Sequence, residues 1–433
     1  MQAYNVNSNN RLVVSEEEVL VYESPHPSNI FAYSPSIAAL PGGRLMLTMD
    51  IGGAGVSELE GPLTAHPYKE NPTKKHWQGK LFLSDDDGLS WRHQLDFPFK
   101  WARAIQDGEA LYLIGVDGDL TIMRSPDRGE SWSEPVRLTS GDFWHQAPCN
   151  VLYANGCVYL VMEKRIEHDM QGWYVSELAP VLMRARLGDD LTAPQSWTYA
   201  SELPFKQAVD PSKLEAVGLP FYPETKDRMT EQAPGRSSAP IGWLETHVIQ
   251  FTDPDHYWCD PSGHTFHLWA RAFTGGTGYA AIAKVTEHPD GSMTTSLEQA
   301  PSGKDIVYVP CPGGHMKFHI MHDPQSGLFW LLSTQPTDSM IRADRMPDGM
   351  DGLANNERHR LQLHFSRNAV DWCFAGMVAI GDTPLHSRHY AGMDIDGDDL
   401  VIASRSGDAR AHSGHDGNLI LFHRVRDFRS LVY

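Results

Sequence analysis

Short apolar, strand-like runs recur along the whole chain, and a glycine-bearing turn leads from one run into an aromatic-rich partner. Ala38-Ala-Leu-Pro-Gly-Gly-Arg-Leu-Met-Leu47, Gln106-Asp-Gly-Glu-Ala-Leu-Tyr-Leu113 and Val151-Leu-Tyr-Ala-Asn-Gly-Cys-Val-Tyr-Leu160 carry the pattern in the N-terminal part. Asp260-Pro-Ser-Gly-His-Thr-Phe-His267, Asp323-Pro-Gln-Ser-Gly-Leu-Phe-Trp330 and Asp394-Ile-Asp-Gly-Asp-Asp-Leu-Val401 repeat it later. Each reads as a β-hairpin. Long helical periodicity is absent, which predicts an all-β chain. The intervals from Trp197 to Trp243 and from Thr334 to Arg360 are rich in Pro, Asp and Arg and read as loops over one face. Insertions of that length in a compact domain are usually functional. No linker divides the chain, so residues 1–433 are expected to form a single domain.

A second repeat is sharper. Ser84-Asp-Asp-Asp-Gly-Leu-Ser-Trp91 and Ser125-Pro-Asp-Arg-Gly-Glu-Ser-Trp132 share the form S-x-D-x-G-x-S-W and start 41 residues apart. Gly88 and Gly129 supply the positive φ of a tight turn, and Asp86 and Asp127 accept backbone N–H groups within it. Trp91 and Trp132 then fold back on the sheet as apolar plugs. Both copies resemble the Asp-box of sialidases and related β-propellers. Ser366-Arg-Asn-Ala-Val-Asp-Trp372 is a shortened echo, and Asp190 to Trp197 and His288-Pro-Asp-Gly291 are turn-like. With six hairpins counted, the resemblance implies a six-bladed, sialidase-like β-propeller, with seven blades as the alternative if the long loops hide strands. Glu18-Val-Leu-Val-Tyr22 and Leu419-Ile-Leu-Phe-His423 are the strands expected to close the ring, which leaves only short, protected edges.

Composition narrows the partners. The formal charge is −19, from 36 basic and 55 acidic residues. A surface of that sign repels phosphate backbones and anionic lipid, which argues against nucleic acid and membrane partners. It does not exclude an anionic substrate held in a local basic pocket. The 12 Trp favour stacking on sugar faces. Five Cys, odd in number and widely spread, make no disulfide framework. The start, MQAYNVNSNN, has no signal-peptide pattern, and no run reaches the ~20 apolar residues of a membrane helix. The expectation is a soluble protein, either cytoplasmic or secreted or periplasmic with its signal removed.

In a propeller the residues just before each inner hairpin line the central channel. Here they are Ser34-Pro-Ser36, Trp101-Ala-Arg103, Trp144-His-Gln-Ala-Pro148, Trp243-Leu-Glu-Thr-His247, Gly313-Gly-His-Met-Lys317 and Arg388-His-Tyr390. His145, Glu245 and Tyr390 are the catalytic candidates, as general acid, base or nucleophile. Arg103, Arg271 and Arg405 fit a cationic cluster for a carboxylate or sulfate. Glu163, Lys317 and His389 complete the substrate-binding candidates. Ordinary ion pairing and structural histidines are the competing account of the same residues. His256, Cys259, Cys311 and His315 have partly ligand-like spacing for a structural zinc, against plain sheet His and buried Cys. No cofactor is required.

Pro312-Gly-Gly-His-Met-Lys-Phe318, Ser404-Arg405 and His415-Asp-Gly-Asn-Leu419 resemble the wider sialidase-like group, which includes ulvan lyases and enzymes cleaving rhamnose–glucuronate linkages. Tyr33-Ser-Pro-Ser36 stands where a sialidase carries an arginine, so the resemblance does not bring sialic acid with it. It implies a carbohydrate-active enzyme cleaving a glycosidic bond of an acidic or sulfated glycan, of glycoside hydrolase type. A lyase eliminating at a uronic acid and a non-catalytic glycan-binding propeller remain open beside it.

Overall fold

The computed structural model describes residues 13–16, 18–65, 76–210, 227–233, 236–273, 278–334, 336–337, 341, 343–345 and 357–433. Among these, each predicted hairpin joins the first two strands of an antiparallel blade, and six such blades are formed. Blade 1 contains Phe31–Leu40, Arg44–Gly52, Gln78–Ser84 and Arg92–Phe97. Blade 2 contains Lys100–Asp107, Ala110–Asp117, Asp119–Ser125 and Val136–Arg137. In blade 3 the inner strand is broken into Trp144–His145 and Leu152–Ala154, both paired with Cys157–Arg165 and followed by Leu178–Arg186 and Trp197–Tyr199. Blade 4 has Gly242–Ile249, Thr265–Phe273, Tyr279–Glu287 and Met293–Ser296, with Tyr308–Pro310 added against Tyr279–Glu287. Blade 5 has His319–Asp323, Leu328–Thr334, Arg360–Ser366 and Cys373–Ile380.

Blade 6 takes Arg388–Asp396, Asp399–Ser406 and Leu419–Val425 from the C-terminal end and its outermost strand, Glu18–Glu23, from the N-terminal end. The two segments expected to close the ring do pair, with Glu18 opposite His423 and Glu23 opposite Leu419. Pairing the two ends covers the edge of Leu419–Val425 that would otherwise stay open.

The core lies between blades. Ile114 and Leu160 meet in the cluster between blades 2 and 3, Val161 and Leu268 between 3 and 4, and Ile282 and Leu331 between 4 and 5. Leu332 with Ile402, Leu47 with Ala403, and Leu83 with Leu113 complete the circuit through blades 5, 6, 1 and 2. Every blade is therefore apolar on both faces, which is why its middle strands read as continuous apolar runs rather than clean alternation.

The two S-x-D-x-G-x-S-W segments connect the third and fourth strands of blades 1 and 2, with matching bonds. Ser84 Oγ and Ser125 Oγ accept the Gly88 and Gly129 N–H groups at 3.0 and 2.8 Å. Asp86 and Asp127 accept the N–H groups of Ser90 and Ser131, at 2.9 and 2.8 Å. Trp91 and Trp132 Nε1 each donate to the glycine carbonyl of their own turn at 3.0 Å. The turns need left-handed backbone, which Gly88 (φ 86°) and Gly129 (φ 91°) adopt at no steric cost. Ser366–Trp372 occupies the same place in blade 5, with Asn368 accepting from Val370 and Asp371. The interval from Trp197 to Trp243 holds the last strand of blade 3, a short helix at Phe205–Ala208 and a small hairpin, Thr230–Ala233 with Arg236–Ser238. Much of it, and most of Thr334 to Arg360, lies outside the described residues; the described parts contain no seventh blade. No described helix is long and apolar enough to cross a membrane.

Candidate active site at one end of the central channel

Four of the six inner strands carry the same irregularity at the same level. The ladder advances three residues against two between Tyr33 and Ser36, Lys100 and Arg103, Leu244 and His247, and His389 and Gly392. Each is a bulge with one extra residue, and each contains a non-glycine residue in left-handed backbone: Ser34 (φ 49°), Trp101 (φ 59°), Glu245 (φ 56°) and Tyr390 (φ 51°). Such conformations cost of order 1–3 kcal/mol apiece and cluster where side chains must be re-aimed for function. All four residues line one cavity of about 830 Å³, together with His145 of blade 3 and Arg405 of blade 6.

The floor of this cavity is a chain of hydrogen bonds across blades 4 and 6. Arg271 Nη1 donates to the Tyr390 phenol oxygen at 2.6 Å and to Glu245 Oε2 at 3.2 Å, while its Nε donates to the His315 carbonyl at 2.7 Å. Glu245 also hydrogen-bonds the Tyr390 phenol. Burial pushes Tyr390 up to about 12, against the opposing pull of Arg271. The Arg405 guanidinium lies 5.3 Å from the Tyr390 ring centre and 4.1 Å from that of Tyr33. Arg358, 7% exposed, stands 5.9 Å from the Tyr390 ring and meets His389 Nδ1 at 3.2 Å. One tyrosine thus has three arginines around it.

On the opposite wall His145 Nδ1 meets Glu163 Oε2 at 3.2 Å, and Glu163 Oε1 accepts the Thr246 N–H at 2.8 Å. Burial drives both groups toward their neutral forms. It pushes His145 down to about 3 and Glu163 up to about 8, so both are neutral near pH 7. Trp101 and Trp173 hold the His145 ring edge-on at 4.5 and 5.5 Å. Beside them Lys100 Nζ sits 3.8 Å from the Trp101 ring and 4.9 Å from Trp77. Asp50 is fully buried and accepts the Trp101 N–H at 3.0 Å. Burial raises Asp50 and lowers Lys100. Asp416 accepts from Tyr33 Oη at 2.6 Å and meets His415 Nδ1 at 2.7 Å.

Of the residues expected from sequence, His145, Glu245, Tyr390 and Arg405 share the cavity lining, with Arg271 beneath them and Glu163 behind His145. Arg103 does not join them. It sits two residues further down its strand, bonded to the Asn150 and Val161 carbonyls at 3.2 and 2.9 Å, against a separate cavity. Lys317 is also buried away from the lining, donating to the Ala391 carbonyl at 2.7 Å. His389 lies under Tyr390 as the partner of Arg358.

Among the described residues no group of three or more His, Cys, Asp and Glu is placed to hold a metal ion, so His256, Cys259, Cys311 and His315 form no such site. The His256 ring instead stacks on Phe251 at 3.8 Å, and Cys311 is buried in the apolar cluster between blades 4 and 5, which pushes its thiol pKa up. Sequence reading missed Asp50, Lys100, Arg358, Trp77 and Trp173. Asp50 had a signal, because it ends the second strand of blade 1 as Glu163, Arg271 and Arg405 end theirs. Trp77 and Trp173 come from connections between strands, where no periodicity points at a channel.

No family model matches the chain. A 72-residue stretch, 17% of the chain and 4% of the relative, is 36% identical to Vacuolar protein sorting/targeting protein 10 of Neosartorya fischeri and of Aspergillus fumigatus. The chain therefore spans a very small share of those relatives. Solved structures match it almost end to end. The intramolecular trans-sialidase of Ruminococcus gnavus aligns with TM-score 0.52 and 12% identity over 97% of this chain and 99% of that one. The α-L-arabinanase of Penicillium chrysogenum aligns with TM-score 0.50 and 11% identity over 96% and 99%. Trypanosoma rangeli sialidase aligns with TM-score 0.50 and 12% identity over 97% of this chain and 60% of its own. Identities this low speak to the fold alone, and on that point the blade count, the strand order and the neighbours agree: the chain folds as a sialidase-like six-bladed β-propeller.

Proposed function

We propose that this protein is a glycoside hydrolase acting on a glycan with an anionic group, and that Tyr390 is its nucleophile. The observation that carries the reading is the Arg271–Tyr390–Glu245 chain on the floor of a tryptophan-lined cavity. A phenol held near 12 does not ionise by itself at neutral pH, so its attack must be coupled to proton loss. Glu245 is placed to take that proton while Tyr390 Oη bonds to the anomeric carbon. Arg271 stabilises charge on the phenol oxygen as it develops. The leaving oxygen takes a proton from His145, which is replenished by the protonated Glu163 behind it. Water then attacks the anomeric carbon and gives its proton through His145 back to Glu163, while Glu245 returns its proton to the departing Tyr390 oxygen. Arg405, aided by Arg358, holds the carboxylate or sulfate of the sugar. In this reading the two S-x-D-x-G-x-S-W turns are Asp-boxes of the scaffold.

A lyase is the second reading, favoured by the neutral state of His145, whose ring is then free to take the C5 proton of a uronate. A panel of uronic, sulfated and sialylated glycans, followed by reducing-end release and ultraviolet absorbance, separates the two. Hydrolysis yields no absorbing product, and elimination yields an unsaturated uronate. A fluorinated glycosyl trap of the active sugar should mark the peptide containing Tyr390 in mass spectra. A mark on another residue, or affinity with no product, would overturn the nucleophile or the enzyme respectively.

A further inference from the structure

Beyond the sugar pocket, the inner strands continue into a second cavity of about 150 Å³, bounded by Arg103 and Ala104 of blade 2, Cys149 and Asn150 of blade 3 and His319 of blade 5. It is the place to which Arg103 was displaced from its expected role. We propose that this part of the central channel binds a small inorganic anion of halide size, held by Arg103 and His319 with Lys317 and His247 beside them.

The first support is unmet hydrogen bonding. Among the described residues Arg103 Nε and His319 Nδ1 are buried without a hydrogen-bond partner. Arg103 is 1% exposed, His247 0% and His319 7%. A buried donor without a partner is uncommon in native proteins and points to an ion or to ordered water. The His247 and His319 ring centres are 5.1 Å apart, and the Arg103 charge reaches both.

The second support is charge. Arg103 and Lys317 are buried cations, and neither forms an ion pair among the described residues; both donate to backbone carbonyls. The acids whose fields reach them are occupied. Glu245 is paired with Arg271, Glu163 retains its proton near pH 7, and burial keeps the Cys149 thiol neutral. Asp394 also borders the cavity, but its two oxygens accept the Ala39 and Ile395 N–H groups, each at 2.8 Å. Two buried cations without an ion-pair partner among the described residues are costly, and a bound anion lowers that cost. His319, held neutral by burial and by these cations, keeps one N–H to donate. The volume suits an ion with a few waters, each taking about 30 Å³, and excludes a glycan chain.

Bromide is the probe. Crystals of the full chain soaked in sodium bromide should show an anomalous peak within hydrogen-bond reach of Arg103 and His319. In solution, replacing gluconate by bromide at constant ionic strength should raise Tm saturably, by about one to three degrees. Arg103→Gln should abolish that response, and Arg405→Gln, in the sugar pocket, should keep it. Water alone in the channel, bromide only beside Arg405, or an undiminished response in Arg103→Gln would overturn the assignment. If Arg103→Gln does not fold, the anomalous map of the unaltered protein decides.

Discussion

Tyr390 and Arg271 are 119 residues apart in the chain, yet the phenol oxygen of one lies 2.6 Å from a guanidinium nitrogen of the other. The contact exists because bulges in blades 4 and 6 turn Glu245 and Tyr390 toward the same axis. Tyr390→Phe keeps the ring between its arginines and removes only the phenol oxygen proposed to attack. Turnover on the glycan found by screening should fall by at least ~10³-fold while the thermal transition stays near that of the parent, since a lost nucleophile removes a whole covalent route. Retention of a tenth of the activity would remove Tyr390 from the mechanism.

His145→Ala should lower kcat by roughly 10²–10⁴-fold, the usual size for a lost general acid or base. Substrates with a good leaving group, which need no proton, should be spared in large part. Equal losses on good and poor leaving groups would show that His145 does not donate to the leaving oxygen.

Arg405 is aligned on the Tyr33 and Tyr390 rings, an arrangement that suits a planar guanidinium and not an ammonium. Arg405→Gln should raise KM by about 10–100-fold with a smaller change in kcat, and Arg405→Lys should recover little of it. Calorimetric titration with the charged monosaccharide and its neutral amide gives the direct comparison. Equal affinity for the two would exclude Arg405 as the carboxylate anchor.

The Glu163–His145 pair predicts a pH dependence of stability. Folded Glu163 keeps its proton up to about 8, whereas the unfolded carboxyl releases it near 4.5. The folded state therefore binds more protons across that window, and stability falls as pH rises through it. Folded His145 stays neutral down to about 3 against an ordinary 6.5, so its contribution is lost only as pH falls below 6.5. From pH 6.5 to 8 the Glu163 effect acts without that opposition. Glu163→Gln, which has no proton to release, should show a flatter Tm profile than the parent there. Parallel profiles would mean that Glu163 is already ionised in the fold.

Removing residues 1–23 would strip the outer strand from blade 6 and expose the edge of Leu419–Val425. The shortened chain should melt several degrees lower and self-associate, as unpaired flat edges do. Light scattering and a thermal scan suffice, and an unchanged transition would show that closure contributes nothing.

The fold was legible because its signals are local. A turn needs Gly88 or Gly129 within a few residues of Asp86 or Asp127, and each hairpin is written in adjacent runs, so blade spacing survives in the linear order. The closing pair Glu18–Glu23 and Leu419–Val425 was readable for a similar reason: both segments are strand-like and lie at the two ends of a repeating series. His145, Glu245, Arg271, Tyr390 and Arg405 were found by register alone, as residues at the start of first strands and the end of second strands. What they do to one another was not in the sequence. The extra residue at Ser34, Trp101, Glu245 and Tyr390 has no local signature, since none is glycine and the strain is sustained by packing from neighbouring blades. Burial, which holds Glu163 and His145 both neutral and keeps Arg103 and Lys317 off the lining of the larger cavity, is a property of the closed ring. Local turn chemistry determined the blades, and only the convergence of six blades on one axis decided which charges meet, which are desolvated and which side chains line the cavity.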